Sequence, residues 1–383
     1  MYLARALHAF LFLTLLTVSV HADIIVDGDT IVEEKAAFHD THYIVPNEYK
    51  PHLFSPLLSS KNPGGVLISL GTFRAIQNAS QGDFAYAFLF DYNSTTHAFN
   101  EAHLDLIKKA DDRFHYLELL FFKKNAASLI KQVRAGEISD ENFFKELIQL
   151  PPLEKSKHTP EQRKLQASIA EYSFGRDQIN WTYFISTLDA SMSAFTKWTM
   201  HPNAWKKLYF GTDQAFARLK DMVYYRRIIP LSGDLTGVEA LPSLTSWLNK
   251  RGLKVSAMDI SNALEYFYKE DAEGDMDPEH MLKIQKFMKN LSSLPFSSDG
   301  SLFLTTPRND CFDTRWTNPI SLPNQTVYDN WLYFSIPQQL IKHWLLQGRF
   351  SSPVRLRHEL ESLMKNRIKQ PAGSEALITS IDA

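Results

Sequence analysis

One cysteine in 383 residues is the first thing that narrows this sequence. Cys311 has no second thiol to pair with, and no Cys-based metal site can form. Glycine is sparse too, at 15 residues, which argues against a Gly-rich, phosphate-cradling loop. No G-x-S-x-G elbow, Walker loop or H-E-x-x-H motif occurs, so those hydrolase, nucleotidase and metalloprotease chemistries are set aside. Charge of one sign is also missing: 41 Lys and Arg stand against 43 Asp and Glu, a net −2. Without a basic stripe or an acidic tail, nucleic acid is not an expected partner. His39, His42 and His52 lack helical spacing and a matching carboxylate or cysteine cluster. They are expected at surface or turn positions, and no metal site is predicted.

What is present begins with an export signal. Arg5 supplies a positive start, Phe10 to Val20 is an unbroken run of apolar residues, Thr and Ser, and Val20-His21-Ala22 fits cleavage before Asp23. The run is short for a transmembrane span of roughly 20 residues; an uncleaved anchor is the alternative. Residues 1–22 are therefore read as a signal peptide, and the mature chain is expected to be exported, periplasmic or extracellular, with no stable membrane span. Residues 23–60 read as an irregular N-terminal arm, 61–348 as one α/β domain with a helical insertion at about 113–225, and 349–383 as a basic, then polar, tail.

The sharpest pattern is Val66-Leu67-Ile68-Ser69-Leu70-Gly71, followed twenty residues after the glycine by Asp91 in Phe88-Leu89-Phe90-Asp91. An apolar strand ending in glycine, a short helix, and a second strand ending in an acid form the first βαβ unit of a nucleotide-type cofactor fold. In such a fold the glycine admits the ligand to the backbone and the acid accepts from ribose hydroxyls. The competing reading makes Gly71 a tight-turn residue and Asp91 a helix cap. Further strands are expected at Arg227–Asp234, Leu253–Met258, Ser301–Thr306 and Val327–Phe334, alternating with helices. Apolar rather than alternating strands predict a mainly parallel, doubly wound sheet covered on both faces.

Asp234, after the strand ending in Ser232-Gly233, would face the same crevice or cap the next helix. Asn262 and Tyr266, four apart on a predicted helix, are candidate substrate contacts; the bland alternative at that junction is capping by Ser261 and Glu265. Glycosidase-type chemistry, which needs only two suitably spaced carboxylates, stays open, and an exported hydrolase using Asp234 and Glu265 as a carboxylate pair is a third alternative.

Several of these segments together resemble an uncharacterised, largely bacterial family of class I methyltransferase-like architecture. The most specific are Leu231-Ser232-Gly233-Asp234-Leu235-Thr236-Gly237 and Ser261-Asn262-Ala263-Leu264-Glu265-Tyr266. The resemblance implies a Rossmann-like sheet and an S-adenosylmethionine-type pocket bounded by Gly71, Thr72, Asp91 and Asp234. Methyl transfer to an unknown acceptor is the activity it implies. The turn Gly71-Thr72-Phe73-Arg74 departs from the family's longer Gly- and Pro-containing turn, and Gln77-Asn78 comes later than the family's Gln-Asn pair. S-adenosylmethionine is moreover a cytosolic metabolite. Both points favour the alternative of a non-catalytic, exported binding protein on the same scaffold.

Overall fold

The computed structural model describes residues 23–34, 55–151, 153–170, 208–261, 263, 278–307 and 331–346. The signal segment, Cys311, the three histidines of the arm, Asn262, Glu265, Tyr266 and the tail lie outside these residues.

Six strands form the central sheet: β3 (Val66–Leu70), β4 (Tyr86–Asp91), β5 (Ile228–Ser232), β6 (Val255–Asp259), β7 (Phe296–Pro307) and β8 (Trp331–Pro337). Their order is β5-β4-β3-β6-β7-β8. All neighbours are parallel except β7 and β8. The protein is thus α/β, with a mostly parallel, Rossmann-like sheet. The chain winds outward from β3 to β5, then returns across β3 to lay down β6 and β7. That reversal lies between β3 and β6, and in open α/β sheets ligands bind in the crevice beyond the carboxyl ends of the strands at such a point.

Side chains alternate across β3, β4 and β6, and both faces of these strands are covered. Leu67, Ala87, Leu89 and Ala257 bury into one apolar cluster, shared with α2 (Phe73–Gln81), α3 (Ser94–Lys109) and the helical insertion. Val66, Ile68, Phe88, Phe90, Leu231 and Met258 bury into the other, against α9 (Ala240–Arg251), α10 (Pro278–Ser293) and α11 (Gln338–Leu346). Burial on both faces is why these strands read as continuous apolar runs.

The insertion comprises α4 (Arg113–Phe121), α5 (Ala126–Arg134), α6 (Asp140–Gln149), α7 (Pro160–Ala170) and α8 (Asp213–Tyr224). α4 and α5 are separated where Phe122 and Asn125 adopt positive φ. A buried hydrogen-bonded chain holds the insertion beneath the sheet. His103 Nε2 meets the Tyr116 hydroxyl at 2.5 Å, and that hydroxyl meets Tyr209 Oη at 2.5 Å. Burial pushes the His103 ring down to about 3, so it packs as a neutral ring. The Tyr209 amide then donates to Gln77 Oε1 on α2.

The arm departs from its irregular reading. Residues 24–31 form a β-hairpin, β1 (Ile24–Val26) and β2 (Asp29–Ile31), around a two-residue Asp27-Gly28 turn with both φ values positive, 50° and 80°. Asp-Gly is a preferred sequence for such a turn because both positions need left-handed backbone. The hairpin docks on α9: Trp247 Nε1 donates to the Val26 carbonyl at 3.3 Å, and Arg251 reaches the Val26 and Asp27 carbonyls and the Asp29 carboxylate. A short helix, α1 (Ser55–Ser59), precedes β3. Among the described residues no helix is long and apolar enough to cross a membrane.

Candidate functional site

Gly71 leaves β3 with φ +86, a conformation that a side chain would strain. A Cβ built there meets nothing within 4 Å, so the backbone is open to the crevice on that side. Thr72 caps the start of α2 in position only: it is buried, and its side chain makes no capping hydrogen bond. The first turn of α2 thus presents backbone amides at the end of β3, an arrangement that favours negative charge.

Asp91 ends β4 beside Gly71. Burial pushes its carboxyl up to about 7, against the backbone amides of Asn93, Gly71 and Tyr92 and the nearby His97, which pull it down. The Asn93 amide donates to Oδ1 at 2.9 Å. Asp91 thus organises the turn into α3 from the carboxyl end of β4, the local alternative. On α3, Asn100 Nδ2 donates to the Gly71 carbonyl at 3.0 Å, while its Oδ1 is buried with no hydrogen-bond partner.

Arg74 does not reach into the crevice. Its guanidinium turns inward and grips Asp259, at the end of β6, through Nε and Nη2, both at 2.7 Å. The two side chains are 2% and 1% exposed, which makes this a fully desolvated ion pair. Asn78 Nδ2 adds a contact to Oδ2 at 2.5 Å, and the Ser261 amide donates to Oδ1 at 3.0 Å. Gln77-Asn78, noted in the sequence as a displaced pair, thus packs α2 against Tyr209 and Asp259.

Asp234 joins the crevice less directly. Its Oδ1 accepts from the Thr236 amide at 2.7 Å and from the Thr236 hydroxyl at 2.9 Å, the local capping alternative. The carboxyl end of β5 is met by the arm instead: Glu33 Oε1 accepts from the Ser232 amide at 2.7 Å. The Glu33 carboxylate also lies 3.7 Å from His97 Nδ1, and Glu101 lies 3.7 Å from His97 Nε2. Glu33, His97 and Glu101 were not singled out in the sequence. The His97–Glu101 spacing on one helix face was legible, whereas Glu33 arrives from an arm that local pattern could not place. Among the described residues there is no group of three or more His, Cys, Asp or Glu arranged to hold a metal ion.

The structure therefore brings Gly71, Thr72 and Asp91 together, holds Asp234 one strand further out, and leaves Asn262 and Tyr266 outside the described residues. The family model for Domain of unknown function (DUF7790) matches residues 43–371, and the chain belongs to that family. No curated protein matches the chain.

Proposed function

For this family member we propose an exported, methyltransferase-like protein that binds an adenosyl ligand, S-adenosylmethionine, at the carboxyl ends of β3 and β4. The observation that carries the reading is the Gly71–Asp91 pair at the carboxyl ends of β3, where the strand order reverses, and its neighbour β4. There an open backbone at φ +86 lies beside a strand-end carboxyl. These residues fit a nucleoside: Asp91 has acceptor capacity left for ribose hydroxyls, and a Cβ at Gly71 would point into open space. The buried Asn100 Oδ1 nearby is an acceptor without a donor, suited to an amino or hydroxyl group. Bound S-adenosylmethionine would supply an activated methyl group, and the chain's part is to bind and orient it.

A second reading, a non-catalytic binding protein, is favoured by the other strand-end acids. Asp259 is engaged by Arg74, and Asp234 by its own turn. Neither is placed to take a proton from an acceptor.

Melting residues 23–383 with S-adenosylmethionine, S-adenosylhomocysteine and NAD separates the two readings. At a hundredfold excess over Kd an adenosyl ligand stabilises by about 2.7 kcal/mol, a shift of several degrees. The expected result is a shift with both adenosyl ligands that Asp91→Asn abolishes. Binding without methyl transfer to any offered acceptor would favour the second reading. No shift with either adenosyl ligand would remove the first.

A further inference from the structure

The segment Ser232-Gly233-Asp234-Leu235-Thr236-Gly237, prominent in the sequence, has a use that the crevice at Gly71 does not absorb. Its backbone amides converge on the arm. The Asp234 amide donates to Glu34 Oε2 at 2.8 Å, and the Glu239 amide donates to Glu34 Oε1 at 2.8 Å. One carboxylate, from 200 residues away in sequence, is thus held by both oxygens on main-chain donors.

Gly237 gives the second, independent sign of a built site. A Cβ at this position would lie 1.9 Å from Glu34 Oε2 and 2.0 Å from Oε1, so it would occupy the carboxylate's own place. The Gly237 backbone does not adopt a positive φ, so conformation does not call for glycine. Room for the carboxylate does. The cradle is also held in shape from behind: Asn290 Nδ2, buried on α10, donates to the carbonyls of Leu235 and Gly237 at 3.0 and 2.8 Å. The Asp234 carboxylate braces the turn from within through Thr236.

We propose that the turn 232–239 is a carboxylate-binding site, filled in cis by Glu34, and that a peptide segment presenting a single glutamate carboxylate is its class of external ligand. The ligand competes with the arm for the amides of Asp234 and Glu239. The side chains of Asp234 and Glu239 and the neighbouring Glu33 make the surroundings negative, which selects a singly charged carboxylate over a doubly charged phosphate. Ser232 pairs with Asp91 across β4 and β5, so release of the arm would extend the open crevice by one strand.

The test is chemical rescue in the mature chain, residues 23–383, independent of any adenosyl ligand. Glu34→Ala should lower the melting temperature by several degrees in chloride, and acetate at matched ionic strength should restore most of that loss. The wild-type chain should show no acetate-specific gain. Glu34→Ala combined with Gly237→Ala should show none either, because the new methyl fills the cradle. If Glu34→Ala does not fold in chloride, recovery of folded protein on refolding in acetate is the readout, with the same double variant as control. A Glu34→Ala chain indifferent to acetate, or a gain equal in all three proteins, would overturn the proposal.

Discussion

β4 and β6 lie on opposite sides of β3, and each ends in an aspartate, yet the two acids are treated in opposite ways. Asp259 is buried against a guanidinium that meets it with two parallel bonds, with Asn78 and the Ser261 amide on the remaining sites. Asp91 is surrounded by backbone amides, with His97 nearby and no guanidinium or ammonium bonded to it among the described residues, and its carboxyl is pushed up to about 7. The difference lies in what each acid can still do. A buried carboxylate bound to a bidentate cation is a fixture of the fold, since removing either partner leaves a bare charge in the interior. An acid held only by amides near its titration point can take up a proton, or a ligand's hydroxyl, without dismantling anything.

The comparison breaks most readily at Arg74. Arg74→Met leaves the Asp259 carboxylate buried without its cation and should destabilise the chain by about 3–5 kcal/mol, read by urea unfolding. Adding Asp259→Leu to that variant should recover most of the loss. A double variant no more stable than the single one would show that the charge is not what matters there.

The Asp91 side sharpens with pH. Its folded value of about 7 lies above the ordinary 3.8, so the folded chain keeps a proton that the unfolded chain has released. The stability this contributes is complete below about pH 4 and is lost as pH rises through about 7, by an amount on the order of 4 kcal/mol. Asp91→Asn, neutral throughout, should flatten that slope and exceed the wild type in stability on the alkaline side. Melting curves across a pH series check it, and an unchanged slope would mean that Asp91 does not titrate in the folded chain.

The smallest effect comes from an ion pair of similar length in the wrong place. Lys145 Nζ lies 2.6 Å from Glu141 on the exposed face of α6. Lys145→Ala should lower stability by only about 0.3–0.5 kcal/mol by the same urea measurement. A loss approaching that of Arg74→Met would remove burial as the distinction between the two pairs.

The sheet was largely legible because its strands are buried on both faces and so stand out as apolar runs. Val66–Leu70, Tyr86–Asp91, Ile228–Ser232 and Val255–Asp259 all fall where those runs predict them. The antiparallel direction of β8 was not legible, since an edge strand carries the same apolar residues either way. The hairpin at 24–31 had a readable signal in Asp27-Gly28, outweighed by the shortness of its three-residue strands. At the candidate site, Gly71 and Asp91 could be paired from the sequence because their spacing is local. Arg74 was noticed only as part of a turn that departs from the family's, because the acid it seeks lies 185 residues away. Glu33 and Glu34 were missed for the same reason: their partners lie about 200 residues further along.

That separation also sets an order of events in synthesis. β3, the middle strand on which the sheet turns, gains β4 almost at once, but Asp259 follows Ser69 by 190 residues. At roughly 5–20 residues/s, roughly 10–40 s pass between the two. Throughout that interval the buried pairing of Arg74 with Asp259 cannot form, because its acid has not yet been made. The clamp between α2 and β6 therefore closes only after the strand bearing that acid has left the ribosome.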